Sequence, residues 1–175
     1  MQRAQRGFTL LELMVVVVLI GIILTFVVRS VGDGGRRDRI QREVQRIIAL
    51  VELVGEESVL KSSVIGMRFE KQGYAFMHYD GEQWNEVAGD DLLKVYQLDE
   101  AMEMELLVEG FSVDLEQAAQ PVEGESELQP QVVFMPSGER TPFELALRYE
   151  DDESGFLLNV PPLGSVERRR IEERW

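Results

Sequence analysis

The fold is decided near the start of the chain, which reads Gly7-Phe8-Thr9-Leu10-Leu11-Glu12 and opens an apolar run that ends at Val28. Glu12 is the only ionisable residue in that run. An α-helix rises 1.5 Å per residue, so roughly 20 apolar residues cross a bilayer core that is about 30 Å thick. Residues 8–28 are therefore predicted to form a transmembrane helix.

The polar leader before this run, residues 1–7, is predicted to be removed. A secretory signal peptide has a shorter apolar region and places its small residues after that region, next to the cut. Here the small residue, Gly7, comes before the apolar run. A cut after Gly7 leaves the membrane helix on the product.

This arrangement resembles the type IV prepilin family, which includes the pseudopilins of type II secretion. The resemblance implies that a prepilin peptidase and methylase cuts between Gly7 and Phe8 and then N-methylates Phe8. It makes Glu12 the fifth residue of the mature chain. It also implies a single-pass protein of the inner membrane whose C-terminal domain lies in the periplasm.

Glu12 is predicted to act in subunit assembly. A carboxylate in the middle of a membrane helix costs about 2.5–3.5 kcal/mol, so such acids are functional by default. We expect Glu12 to meet the free α-amino group of Phe8 on a neighbouring subunit, which would fix the axial register of a helical filament. The alternative is a tolerated acid in a single-pass anchor.

The charges that flank the apolar run predict the opposite orientation of the chain in the membrane. Positive-inside counting favours the flank with more arginine, which is the C-terminal one, and alone it places the domain in the cytoplasm. The prepilin resemblance implies a leader inside and a domain outside. We follow the resemblance because the leader peptidase works at the cytoplasmic face.

The charge of the chain is strongly segregated. The formal net charge is −14, yet the segment Arg29–Arg46 holds six arginines. From Ile47 onward there are 10 basic and 28 acidic residues, a net of −18, so nucleic acid is excluded as a partner. The basic segment either touches anionic lipid or an acidic neighbour, or forms a solvated helix face with ion pairs.

The helix is predicted to continue beyond the membrane, over residues 29–62. Gly32, Gly34 and Gly35 each cost about 1 kcal/mol relative to alanine in a helix, so a melted or kinked joint is expected there. Helical periodicity then resumes, with the polar residues, Glu43 among them, mostly on the other side. The expected apolar stripe is Ile40, Val44, Ile47, Ile48, Val51 and Val54.

Residues 63–175 are predicted to form a β-rich domain. Short apolar runs separated by Gly, Pro and Asp turns are typical of two packed antiparallel sheets. The tail from Val166 is expected to be an edge strand or a short helix, and Glu116–Gln131 a loop. Strands are expected at Val64–Phe69, Tyr74–Tyr79, Trp84–Val87, Leu92–Leu98, Met102–Val108, Phe111–Leu115, Val132–Met135, Phe143–Tyr149 and Phe156–Val160. The fold class is α+β: a long N-terminal helix on an antiparallel, sandwich-like domain, as in pilins.

A second resemblance lies in the stretch Val133–Leu145, which reads VFMPSGERTPFEL. It is similar to the C-terminal signature of the H-type minor pseudopilins of type II secretion, and Leu60–Tyr79 is similar to their first hairpin. Pro136 and Pro142 fix φ and Gly138 allows a tight bend, so two strands around a turn are expected. The motif is interpreted as structural, with a possible contact to the next subunit.

Catalysis and metal binding find little support in the sequence. His78 is the only histidine and stands among strand aromatics, whereas zinc sites need three or four nitrogen or sulfur ligands. Ser137 lacks the surrounding pattern of a nucleophile elbow. The pairs Asp90-Asp91 and Asp151-Asp152 match no calcium-loop pattern. There is no cysteine, so thiol chemistry and disulfides are excluded.

The sequence thus predicts a non-enzymatic minor pseudopilin without cofactor or metal, near the tip of a periplasmic filament that supports protein export. The implied partners are other pseudopilins, the prepilin peptidase and inner-membrane lipid, with secreted substrates as a further candidate. One alternative is a minor pilin of a type IV pilus or competence filament. Another is a membrane-anchored domain that binds an exported substrate, and an enzyme is the least supported.

Overall fold

A computed structural model describes residues 10–87, 89–118, 128–152 and 154–172, with backbone alone at residues 11 and 22–34. The chain divides into two compact units, residues 1–39 and 40–175. One helix, α1 (Leu10–Lys61), contributes to both. The remaining elements, all in the second unit, are the ten strands β1 (Val64–Glu70), β2 (Gly73–Tyr79), β3 (Trp84–Glu86), β4 (Tyr96–Gln97), β5 (Met102–Val108), β6 (Phe111–Val113), β7 (Val132–Phe134), β8 (Phe143–Tyr149), β9 (Gly155–Val160) and β10 (Glu167–Ile171).

The strands of the second unit form two antiparallel sheets. The first has the order β3-β2-β1-β7, with β4 also paired to β2, and the second has the order β10-β9-β8-β5-β6. The sheets face each other, because the rings of Phe69 on β1 and Phe143 on β8 lie 5.6 Å apart. The α+β fold with two packed antiparallel sheets is therefore confirmed.

The C-terminal part of α1 supplies one side of the core. Val44, Ile47, Val51 and Val54 are fully buried and belong to the same apolar cluster as residues of both sheets. Of the predicted stripe only Ile48 is half-buried rather than buried, and Leu50 joins the stripe. Period 3.6 thus identified the buried face of the helix.

The helix continues through the glycine segment, where the sequence predicted a melted or kinked joint. Residues 32–35 are helical, so a melted joint is wrong, whereas a bend remains a prediction. At its other end the helix stops at Lys61, and Ser62 takes the left-handed conformation with φ of 48°. The Ser63 N–H then donates to the Ser58 carbonyl over 3.0 Å, which satisfies an end carbonyl of the helix.

Two strand predictions need correction. Leu92–Leu98 is not a strand; only Tyr96 and Gln97 pair, with β2. Asp90 accepts hydrogen bonds from the Leu92 and Leu93 N–H groups at 2.7 and 3.1 Å, so this segment begins as an Asx turn. The strand predicted to reach Leu115 ends at Val113, because Asp114 starts a similar turn.

The tail forms an edge strand, which was one of the two predicted outcomes. β10 pairs antiparallel with β9, from Glu167 opposite Asn159 to Ile171 opposite Gly155. Of the segment 116–131, which was predicted to be a loop, residues 119–127 lie outside the described residues. Its described end is anchored, because the Gln131 side chain accepts a hydrogen bond from the Phe69 N–H over 2.7 Å.

Glu43 on α1 was predicted to lie on the polar, solvent-exposed side of the helix, but it is buried. Glu43 is 7% exposed, and it accepts a hydrogen bond from the Tyr74 hydroxyl over 2.8 Å and pairs with Arg46 at 2.6 Å. Burial, followed by the charge of Glu43, raises the pKa of Tyr74 above its ordinary value. The bond connects α1 to β2 and keeps Tyr74 protonated.

Gly66, in the middle of β1, allows a close approach of other elements. A Cβ at this position would lie 2.4 Å from Pro130 Cγ and 2.9 Å from Trp84 Cζ3. We expect Gly66→Ala to destabilise the protein by about 1–3 kcal/mol, the usual cost of overpacking. The check is urea unfolding of the detergent-solubilised full chain, followed by tryptophan fluorescence.

The control for this prediction is Gly55→Ala on α1. A Cβ there meets nothing closer than Arg140 at 4.0 Å, and alanine is the better helix former by about 1 kcal/mol. Gly55→Ala is therefore expected to be neutral or stabilising. Equal unfolding midpoints for Gly66→Ala and the wild type would contradict the close packing at β1.

Tyr74→Phe is expected to cost about 1.5–3 kcal/mol near pH 7, because a hydrogen bond to a charged group is lost. The folded pKa of Tyr74 is raised, so its contribution is complete below the unfolded pKa of about 10 and is lost as the pH rises above it. The difference in unfolding free energy between wild type and variant should therefore shrink above about pH 10. Tyr79→Phe, whose hydroxyl donates to an exposed turn carbonyl, is the control and should cost less than Tyr74→Phe near pH 7.

Candidate functional site

The predicted assembly residue Glu12 lies in the first turn of α1, and its side chain is exposed. A carboxylate at this end of a helix is stabilised by the helix dipole. The predicted cleavage residues Gly7 and Phe8 lie outside the described residues. The structure therefore places the acid of the motif at the start of the helix and leaves the scission point untested.

The helix surface after Glu12 is apolar and exposed. From Leu13 to Ile20, every side chain is between 42% and 61% exposed. Successive helical residues are rotated by about 100°, so these eight residues cover the whole circumference. A helix that is apolar all round is typically buried in a protein interior or in a membrane. Within the described residues, however, no helix is both long enough and apolar enough to span a bilayer.

The second candidate surface surrounds the turn of the motif Val133–Leu145. The Met135 N–H donates to the Glu139 carbonyl over 2.8 Å, and Gly138 sits at the bend with φ of 86°. The side chain of Thr141 accepts a hydrogen bond from the Val133 N–H over 3.1 Å. The motif is thus two short extended segments around a tight turn, as its prolines and glycine predicted.

Arg140 joins this turn to the loop that follows β9. Its Nε donates to the Pro161 carbonyl over 2.8 Å, and one terminal nitrogen donates to the Gly164 carbonyl. Burial lowers the pKa of Arg140, whereas the charge of Glu52 acts in the opposite direction. One arginine therefore joins two segments of the chain, namely the motif and the loop that follows β9.

An open groove of about 670 Å³ lies beside Arg140, between the end of α1 and the two loops. Val59 and Leu60 give it an exposed apolar wall, and their side chains are 46% and 83% exposed. Glu52 and Glu56 add two carboxylates to the lining of the groove. The groove is lined by Glu52, Gly55, Glu56, Val59, Leu60, Gly138, Arg140, Gly164 and Ser165. It can receive an apolar side chain flanked by polar groups, as in a subunit contact.

The residues considered for catalysis or metal binding are not brought together. His78 is an exposed residue of β2, paired in register with Ile65 and Asn85. Asp90 is engaged by backbone N–H groups, which lower the pKa of its carboxyl. Among residues 10–87, 89–118, 128–152 and 154–172, no group of three or more His, Cys, Asp or Glu side chains could hold a metal ion.

Sequence reasoning missed the buried charges. Arg148 on β8 is 5% exposed and bonds Glu103 over 3.0 Å and also Glu105, both on the neighbouring strand β5. Arg68 on β1 bonds Glu86 on β3 over 2.9 Å. The one signal in the sequence was an arginine within an otherwise apolar strand run, which requires acidic partners close to it in the folded sheet.

Comparison with known proteins identifies the start of the chain. The family model for the prokaryotic N-terminal methylation motif matches residues 2–28. That range contains Gly7, Phe8 and Glu12, and it covers the apolar run. A core protein G of type II secretion from Dickeya chrysanthemi is also similar, with 47% identity over 51 residues, which is 29% of this chain and 33% of that protein.

Relatives of full length give the family. Type II secretion system protein H of Aeromonas hydrophila is 35% identical over 161 residues, which cover 89% of this chain and 87% of that protein. The fold is similar to the crystal structure of the minor pseudopilin EpsH from the type II secretion system of Vibrio cholerae, with a TM-score of 0.62 and 20% identity, over 79% of this chain and 98% of that one. The chain therefore belongs to the type II secretion system protein H family.

Proposed function

We propose that the protein is a minor pseudopilin that is built into the tip region of a periplasmic type II pseudopilus and thereby supports protein export. The observation that carries this proposal is the full-length similarity to type II secretion system protein H, with the methylation motif at residues 2–28. A minor pilin of a type IV pilus or competence filament is less favoured, because the similarity over the whole chain is to type II proteins. The role is structural and not catalytic.

The N-terminal segment is the proposed anchor. Residues 8–28 would hold the precursor in the inner membrane as a single-pass protein, with the C-terminal domain in the periplasm. The exposed apolar surface from Leu13 to Ile20 supports this, because water around that surface is costly. In a filament, the apolar helices of neighbouring subunits would replace the lipid.

The proposed processing has a direct readout. We expect the intact mass of the mature protein to equal that of residues 8–175 plus one methyl group on Phe8. Gly7→Val should retain the leader, because the peptidase needs a small residue at the cut. The measurement is intact-mass spectrometry of the protein from membranes, with and without the leader peptidase.

The control variant is Gly21→Ala, which changes a glycine with nothing within 4 Å of the added Cβ. It should be cut and methylated like the wild type. A full-length mass for the wild-type protein in cells that contain the peptidase would exclude the prepilin assignment.

Glu12 is the proposed assembly residue, paired with the Phe8 amine of a neighbouring subunit. Glu12→Gln removes the charge and keeps the size, so the variant should be cut normally but assemble poorly. The chain has no cysteine, so single cysteines introduced near positions 8 and 12 give an unambiguous disulfide crosslink. We expect the crosslinked fraction to fall about tenfold, the ratio that corresponds to 1.4 kcal/mol.

The matched control is Glu82→Gln in an exposed turn, which changes the net charge equally. It should crosslink like the wild type. If Glu12→Gln crosslinks and supports secretion as well as Glu82→Gln, the pairing of the acid with the amine is wrong even if the pseudopilin assignment stands.

The groove beside Arg140 is the proposed contact for another pseudopilin. Its apolar wall and its two carboxylates suit a partner segment that presents an apolar side chain next to a basic one. An exported substrate is the other candidate occupant, since an acidic domain held at the membrane surface presents the same groove to passing proteins.

A further inference from the structure

The outer edge of β10 has no partner strand among the described residues. β10 is the last strand in the order of the second sheet and pairs only with β9. The backbone N–H and C=O groups on its other side are directed away from the sheet. Such an edge is a template on which another extended chain can form hydrogen bonds.

This edge strand is also strongly basic. Arg168, Arg169 and Arg170 follow one another and all are exposed. From Ile47 onward the chain otherwise carries seven basic residues against 28 acidic ones, so three adjacent arginines are a marked exception. The side chains of all three arginines are exposed, so the positive charge of the edge is accessible to a partner.

One of the three arginines is held in place. The guanidinium carbon of Arg168 lies 5.6 Å from the centre of the Phe156 ring, on the neighbouring strand β9. An exposed cation–π contact of this kind contributes about 0.5–1 kcal/mol. Arg168 therefore loses less conformational entropy on binding than a free arginine would.

The direction of the side chains favours an extended peptide over a membrane surface. Side chains alternate along a strand, so Arg168 and Arg170 project from one face of the sheet and Arg169 from the other. A flat layer of anionic lipid headgroups would contact one face only. A strand added at the edge carries its own side chains on both faces, opposite the arginines, so its carboxylates can reach all three.

We propose that the outer edge of β10 binds an extended acidic segment of another protein by strand addition, with carboxylates of that segment opposite Arg168, Arg169 and Arg170. Backbone hydrogen bonds would supply part of the affinity, and the three charge pairs would select for acidic partners. The simpler alternative is that the arginines only prevent edge-to-edge aggregation. The proposal does not depend on the role of the chain as a pseudopilin.

The test uses the detergent-solubilised full chain and a fluorescent peptide of about ten residues with the repeat Glu-Glu-Thr-Thr, which places carboxylates on both faces of a strand, with binding followed by anisotropy. Wild-type protein should bind this peptide, and the same peptide with Gln in place of Glu should bind at least tenfold more weakly. The triple variant R168Q/R169Q/R170Q should also lose at least tenfold in affinity. Added salt should weaken the binding, because exposed charges are screened.

The matched control is R37Q/R39Q/R42Q, which removes the same charge from the helix. It should bind the peptide like the wild type. If both triple variants lose affinity equally, the effect is one of net charge and the assignment to β10 is wrong. If the wild type does not bind the peptide at all, the arginines serve only to protect the edge or to meet lipid, and the proposal is wrong.

A second arm tests the backbone hydrogen bonds. Methylation of alternate peptide nitrogens blocks one edge of a strand and leaves the other edge intact. A free peptide can present either edge, so methylation of one alternating set should leave binding within about twofold, whereas methylation of both sets should abolish it. Equal affinity of the unmethylated and the fully methylated peptide would show that only charge is recognised, which would overturn strand addition.

Discussion

The structure depends on the burial of one stripe of α1 in the apolar core that it shares with the two sheets. Val44, Ile47, Val51 and Val54 are each completely buried. A slip of the helix by one residue would turn the stripe by about 100° and expose it. The bond between Glu43 and Tyr74 opposes that slip, since a buried carboxylate without its donor is costly. Apolar burial thus provides the stability of the helix contact, and one polar pair fixes its register.

Much of this architecture could be predicted because its causes are local. The 3.6-residue period of the helix and the apolar runs Val64–Phe69 and Tyr74–Tyr79 are all visible within short windows, and these two runs pair antiparallel as the hairpin of β1 and β2. The prediction of a strand at Leu92–Leu98 was wrong, and the reason is equally local. It is rich in aliphatic residues, but the carboxyl of Asp90 accepts hydrogen bonds from the first N–H groups and forms a turn.

The candidate sites also differ in whether their residues are close together in the sequence. Glu12 was identified from a spacing of a few residues, and the structure places it in the first turn of the helix. The groove was not predictable, because Glu52, Gly138 and Gly164 are distant in sequence and meet only in the folded domain. The buried role of Glu43 was also hidden. An acid on a helix is normally a surface residue, and although Arg46 lies one turn away, the buried partner Tyr74 is 31 positions away in sequence.

In the proposed assembly, the apolar surface of the helix and the charged surface of the folded domain have different roles. The residues Leu13–Ile20 are exposed on every side, and in that assembly lipid or the helices of other subunits would cover them. Replacing lipid with the apolar helices of other subunits changes the hydrophobic free energy of Leu13–Ile20 little, because both surroundings are apolar. Apolar contact therefore cannot decide which subunit sits next to which. That choice must come from polar contacts, namely Glu12 within the helix bundle and the charged surfaces of the folded domain outside it.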